Sequence, residues 1–135
     1  MGIPGDTEGT RLPKAVKGLA RGPGRAVLIV DPSPDHQARL ARLTAVQGHR
    51  AIGTSSLDGA LAFLQAFPAD LVLLAEEAAG PMPLRTVAEL VGARPNARIA
   101  ILSPERDPEL IAQREAAIEY LPAALSGEAL DALLG

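Results

Sequence analysis

The stretch AVLIVDPSPDHQARL, residues 26–40, joins a strand signal to a helix signal and decides the fold. It opens with an uninterrupted apolar run, residues 26–30, which is typical of a strand buried on both faces of a parallel sheet. Ser33 is a suitable N-cap and Pro34 a suitable first residue for a helix that we expect over residues 34–47. Its inward face should contain Leu40, Leu43 and Val46. The stretch therefore predicts one complete β-α unit.

The same alternation of short apolar runs and amphipathic segments continues toward the C-terminus. Further strands are expected at residues 50–54, 70–74, 98–102 and 118–121. Helices should begin after Ser55 or Ser56 and after Ser126, and two more should span residues 83–91 and 108–116. In the helix at residues 83–91, Leu84, Val87 and Val91 should face inward. Five successive β-α units predict the α/β class. The specific expectation is a flavodoxin-like doubly wound sheet of five parallel strands, in the order 2-1-3-4-5, with helices on both faces.

In such a sheet the functional crevice lies at the carboxyl ends of the strands. Asp31 follows the first strand, Ala75 the third and Ser103 the fourth. The turn at residues 122–124 follows the fifth. These are the positions where the sequence predicts a site.

Charge divides the chain into two parts. Residues 1–25 contain five basic and two acidic side chains, a net +3, so the rest of this −3 chain carries −6. Because the first part is rich in glycine and proline, we expect a flexible basic tail at residues 1–25, followed by one domain at residues 26–135. The tail is either an idle extension or a docking segment for an acidic partner or membrane surface. Without interleaved aromatic residues it is a weak nucleic-acid signal, and no nucleic acid is expected as a partner.

Several function classes have little support. The absence of cysteine excludes disulfides and thiolate chemistry, and the longest uncharged run, residues 59–69, is too short to span a membrane. We therefore expect a cytoplasmic protein. His36 and His49 are expected in solvent. Phosphate-binding loops and nucleophile elbows are absent from the sequence, so neither a catalytic residue nor a cofactor is predicted.

Four segments in this order resemble the receiver domain of bacterial two-component response regulators. They are AVLIVDPSPDHQARL, ADLVLLAEEAAGPMP, IAILSPERD and AAIEYLPAALSGEAL, and they cover nearly all of residues 25–135. Tyr120 and Ser126 are in register with that pattern. The resemblance implies a signalling module that accepts a phosphoryl group on an aspartate, assisted by Mg²⁺, an acidic pair, a hydroxyl and a lysine.

This chain departs from that pattern at most of those positions. Ala75 is at the place of the phosphorylated aspartate, Pro32 replaces one member of the acidic pair, and Ala123 replaces the lysine. Asp31 and Ser103 keep their matching groups. An alanine has no lone pair to attack phosphorus, so we expect a degenerate, non-phosphorylatable pseudo-receiver. No metal is predicted; a weak cation site at Asp31 is weighed equally against a local turn role.

Two alternatives remain open for the pocket. Glu76 or Asp31 could accept phosphate unconventionally, and a one-residue slip of the third strand would bring Glu76 to its tip. The vacated crevice could instead bind a small molecule.

The resemblance also implies that function resides on a protein-binding face. Because the chain ends at Gly135 without an output domain, we expect a stand-alone module that binds another protein, such as a signalling, polarity or other regulatory component, or a second copy of itself. Candidate face residues are Leu110, Ile111, Tyr120 and Leu125, with Ile111 and Leu125 alternatively in the core. The segment 103–120 is about two residues shorter than the family pattern, so the fourth helix should be short or tilted.

Overall fold

A computed structural model of the protein describes residues 24–135. The tail predicted for residues 1–25 therefore lies outside the described residues, apart from Gly24 and Arg25. Five strands form one sheet: β1 (Ala26–Val30), β2 (Arg50–Thr54), β3 (Leu71–Ala75), β4 (Arg98–Ser103) and β5 (Glu119–Pro122). All neighbouring pairs are parallel and the order is β2-β1-β3-β4-β5. The predicted fold and strand order are confirmed.

Helices cover both faces of this sheet. Within residues 24–135 they are α1 (Pro34–Val46), α2 (Leu57–Ala66), α3 (Glu76–Ala79), α4 (Pro83–Ala93), α5 (Pro108–Ala112) and α6 (Gly127–Leu134). The short helix α3 was not predicted. Helix α5 ends at Ala112, not at residue 116, in agreement with the expectation of a short fourth helix.

Alternate side chains of the central strands enter two separate core layers, as the period of two in a strand requires. On one face, Val27 and Ile29 of β1 pack in the layer that includes Leu40 of α1 and Leu130 of α6. On the other face, Leu28 and Val30 belong to the layer that includes side chains of α2 and α4. The central strands β1 and β3 are thereby buried on both faces, whereas the edge strands β2 and β5 are partly exposed.

Serine side chains begin three of the helices as predicted. Ser33, Ser56 and Ser126 accept hydrogen bonds from the backbone N–H groups of His36, Gly59 and Ala129, at 3.4, 3.1 and 3.1 Å. Each bond satisfies a donor that the first helical turn leaves without a partner. Asp107 caps α5 in the same way through Glu109 N–H.

The predicted inward faces of α1 and α4 are partly wrong. Val46, Leu84 and Val91 are exposed, whereas Thr44 and Thr86 are buried. The two threonines can be buried because their hydroxyls donate to backbone carbonyls, Thr44 to Leu40 O at 2.7 Å and Thr86 to Ala79 O at 2.8 Å. The buried sides of α1 and α4 therefore differ from the sides that the apolar residues alone predict.

Candidate functional site

The carboxyl edge of the sheet surrounds a cavity of ≈ 440 Å³. Asp31, Ala75 and Ala123 all line it, although they follow or end three different strands. Ser103 lines a neighbouring cavity of ≈ 710 Å³ that shares Ala123, His36 and Arg39 with the first. The fold thus brings together the residues predicted at the strand ends, with Ser103 on the adjoining side.

Asp31 is held rigidly at the end of β1. Its backbone N–H donates to Thr54 O at 3.0 Å, and its Oδ1 accepts the Ser33 N–H at 2.9 Å. The Gln37 side chain donates from Nε2 to both Asp31 O and Thr54 O, each at 3.1 Å. Gly53 makes room for this amide, since a Cβ there would lie 2.3 Å from Gln37 Oε1. The turn role weighed for Asp31 is therefore present, and its side chain is only 6% exposed.

Ala75 ends β3 in the expected register. It pairs with Leu102 of β4, and the preceding residues Leu71 to Leu74 pair in sequence with Arg98 to Ile101. The one-residue slip considered for Glu76 does not occur, and Glu76 instead begins α3. The half-buried methyl of Ala75 occupies the strand tip, so this position contributes no carboxylate to the cavity.

The carboxylate of Glu76 nevertheless connects the strand tip to β5. Arg114, in the loop between α5 and β5, forms an ion pair with Glu76. The same guanidinium donates to Ser103 Oγ at 3.3 Å and lies 5.6 Å from the centre of the Tyr120 ring. One arginine therefore contacts three residues from three separate elements.

This arginine link affects the ionisation of Tyr120. Burial raises the pKa of its phenol above the usual value of 10.0, and the negative charge of Glu76 raises it further, while the positive charge of Arg114 opposes both. Sequence reasoning missed Arg114. No local pattern pairs residues 76 and 114, and the only available signal was an isolated arginine just before the fifth strand.

No protein-family model matches the chain, and no curated protein matches it. Solved structures do. A response regulator from Thermotoga maritima matches 82% of this chain and 98% of its own length, with 20% identity and a TM-score of 0.70. A response regulator from Burkholderia pseudomallei, solved with a phosphorylated aspartic acid, a calcium ion and citrate, matches 82% and 66%, with 22% identity and a TM-score of 0.67.

A third solved structure is the signal receiver domain of an HD domain-containing protein from Pseudomonas fluorescens Pf-5. It matches 82% of this chain and 91% of its own, with 23% identity and a TM-score of 0.65. The chain has the receiver fold. At these identities the likeness establishes the fold alone.

Within this receiver fold, the four candidate face residues separate into two groups. Leu110 on α5 is 45% exposed. Tyr120 is half-buried and lines, with Pro108, Ile111 and Arg114, a shallow depression of ≈ 380 Å³. Ile111 and Leu125 are buried, Leu125 in the layer between the sheet, α1 and α6. Their burial agrees with the alternative that these two residues belong to the core.

The two histidines differ in their exposure to solvent. His36 is exposed as expected, whereas the His49 side chain is only 12% exposed. Its Nδ1 accepts the backbone N–H of Arg25 at 3.1 Å, and its Nε2 lies 3.3 Å from Asp131. The prediction of a solvent position for His49 was wrong, because this ring joins the start of β1 to α6.

Two further findings concern the described part of the chain. Between residues 24 and 135, no group of three or more histidine and acidic side chains is arranged to hold a metal ion. Within the same range, no helix has the length and apolar character needed to cross a membrane.

Proposed function

We propose that this protein is a non-phosphorylatable receiver-like module that acts by binding another protein in a signalling pathway, without enzymatic activity of its own. The observation that carries the proposal is Ala75. Its methyl group ends β3 in unslipped register with Leu102, at the position where the resemblance implies the phosphorylated aspartate. Phosphoryl transfer to that position has no nucleophile.

The geometry also disfavours the two other acceptors that the sequence left open. Glu76 is already paired with Arg114, so phosphorylation would have to break an existing ion pair. Asp31 is almost fully buried and one of its oxygens accepts the Ser33 N–H. The Glu76 carboxylate is thus engaged in an ion pair and one oxygen of Asp31 in a turn, which supports the exclusion of both as acceptors.

A phosphodonor assay tests this part of the proposal. The full chain is incubated with acetyl phosphate and Mg²⁺ and its intact mass is measured, with an aspartate-containing receiver domain treated in parallel. We expect the parallel protein to gain a phosphoryl group and this chain to gain none. Stoichiometric gain, lost in Asp31→Asn or in Glu76→Gln, would replace the proposal with an atypical phospho-acceptor.

The proposed partner surface is the α5–β5 face, defined as Leu110, Arg114 and Tyr120. It offers an exposed apolar side chain on α5 and, on β5, a half-buried aromatic ring contacted by the Arg114 guanidinium. Aromatic and arginine side chains are common at the centre of protein interfaces. The partner is another protein of regulatory function or a second copy of this chain. Regulation would come from partner binding, because a ligand shifts a conformational equilibrium only through differential affinity.

Two matched leucines allow this surface to be tested. Leu110 and Leu84 are 45% and 50% exposed, on α5 and α4 respectively. With the full chain immobilised, Leu110→Glu should abolish binding of the physiological partner or self-association, while Leu84→Glu should leave both unchanged. A loss caused by Leu84→Glu alone would move the interface to α4. A loss caused only by charge reversal of Lys14 and Lys17 would move it to the N-terminal segment.

A further inference from the structure

We infer that the cavity at the carboxyl edge is a binding site for a small organic ammonium ligand, that is, a primary amine on a short apolar chain. This inference goes beyond the proposed function, since a protein-binding module needs no small molecule. It depends on the volume of the cavity, on its apolar lining residues and on the hydrogen bonding of Asp31.

The cavity has the size and composition of a small-molecule site. Its volume of ≈ 440 Å³ lies within the range of about 300–1,000 Å³ that is typical of ligand pockets. Leu40, Ala75, Leu102 and Ala123 contribute apolar surface to it. The two alanines enlarge this space, because each places only a methyl group where the family pattern has a longer charged side chain.

Asp31 gives the site its polarity. Its carboxylate lines the cavity and is almost completely buried. Oδ1 accepts the Ser33 N–H at 2.9 Å, but Oδ2 has only the exposed His36 ring nearby, with Nδ1 at 3.8 Å. Among residues 24–135, no donor reaches Oδ2 at hydrogen-bonding distance. A buried carboxylate oxygen without a donor is costly, and an ammonium group would supply both the donor and the compensating charge.

The remaining charges around the cavity favour a cation. Glu76 and Glu77 line it together with Asp31, whereas Arg39 is its one permanently charged basic residue among the described lining residues. Arg39 already donates from Nη2 to Ala123 O at 2.9 Å, which holds the guanidinium against β5. Because Glu76 is paired with Arg114, the balance at the cavity is between Asp31 and Glu77 on one side and Arg39 on the other, which favours a cationic ligand over an anionic one.

The test compares three probes of equal chain length on the full-length protein by isothermal titration calorimetry. The probes are n-butylammonium chloride, 1-butanol and sodium butyrate. We expect saturable one-to-one binding of the ammonium only, with amide chemical-shift changes centred on residues 31, 75 and 123. Absence of saturable ammonium binding, or equal binding of 1-butanol, would overturn the inference.

A matched pair of variants locates the interaction. Asp31→Asn retains an oxygen for the Ser33 N–H but removes the charge, and Asp35→Asn removes an exposed charge from the same helix end. Binding of n-butylammonium should weaken by about tenfold or more in Asp31→Asn, the effect expected of a charged hydrogen bond, and should not change in Asp35→Asn. Equal affinities in the two variants would contradict the assignment. Binding of MgCl₂ without n-butylammonium binding would also contradict it, since the cavity would then be an inorganic cation site.

Discussion

The two halves of the carboxyl edge of the sheet differ in the charged groups they contain and in how these groups are paired. In the cavity half, formed by Asp31, Ala75 and Ala123, methyl groups occupy the strand ends and a buried carboxylate lacks a donor at one oxygen. In the linked half, formed by Glu76, Ser103, Arg114 and Tyr120, the Arg114 guanidinium contacts the Glu76 carboxylate, the Ser103 hydroxyl and the Tyr120 ring. The strand ends of one half have no charged side chain at residues 75 and 123, whereas the charged groups of the other half are paired.

Under the proposed function, this difference indicates how a receiver fold remains stable without the charged groups that the family pattern implies. Truncating one member of a charge pair leaves the other uncompensated, whereas removing both avoids that penalty. Ala75 and Ala123 fit such a paired removal. Glu76 and Arg114 form an ion pair one residue beyond the strand tip, which connects the start of α3 to the segment that precedes β5.

The largest expected effect comes from returning charge to the cavity half. Ala75→Asp should lower the free energy of unfolding by about 2 kcal/mol, because the new carboxylate is partly buried beside Asp31 and lacks a cation. Adding Ala123→Lys should recover about half of that loss. Denaturant unfolding of the two single variants and the double variant measures this coupling.

Ala124→Asp is the matched control, since Ala124 lies on the same edge but is exposed. Its effect should stay within about 0.5 kcal/mol. If the losses from Ala75→Asp and Ala124→Asp were equal, the cavity half would be no less tolerant of charge than the surrounding surface.

A smaller effect is expected in the linked half. Glu76→Gln and Arg114→Gln should show a coupling energy of about 0.5–1 kcal/mol in a double-mutant cycle. The value is modest because the Arg114 and Glu76 side chains are 34% and 28% exposed, so that solvent screens the pair. Glu77→Gln, which removes the adjacent exposed carboxylate, should show no coupling to Arg114→Gln. If the coupling energy of Glu77→Gln equalled that of Glu76→Gln, Arg114 would interact with the summed negative charge of α3 and not specifically with Glu76.

The fold was predictable because its signals are local. Apolar runs marked the central strands, a weaker signal marked the edge strand at residues 50–54, and serines marked the starts of three helices, so the order of elements along the chain followed from local patterns. The positions of Asp31, Ala75 and Ala123 at one cavity followed in turn, since parallel strands end at the same edge of the sheet. Their roles remain proposals.

The errors arose wherever a side chain depends on a distant partner. Thr86 is buried because its hydroxyl reaches a carbonyl seven residues earlier, and His49 is mostly buried because Arg25 and Asp131 surround it. Arg114 joins residues from three elements that one sequence cannot place at contact distance. The composition of each segment has no trace of these contacts. Sequence reasoning therefore named Glu76, Ser103 and Tyr120 separately but missed Arg114, which connects them.

The smallest expected effect is a shift in the pKa of Tyr120, which serves as a probe of both halves. It is the single tyrosine of a chain without tryptophan, so absorbance of the phenolate during an alkaline titration reports this site alone. The negative charge of Glu76 raises the pKa of the phenol and the positive charge of Arg114 lowers it. Glu76→Gln should therefore lower the pKa of Tyr120 relative to the wild type, and Arg114→Gln should raise it. Asp31→Asn, in the cavity half, should leave it unchanged. If Asp31→Asn shifted the pKa of Tyr120 as much as Glu76→Gln does, the two halves would be one electrostatic unit. The distinction between the cavity half and the linked half would then fail.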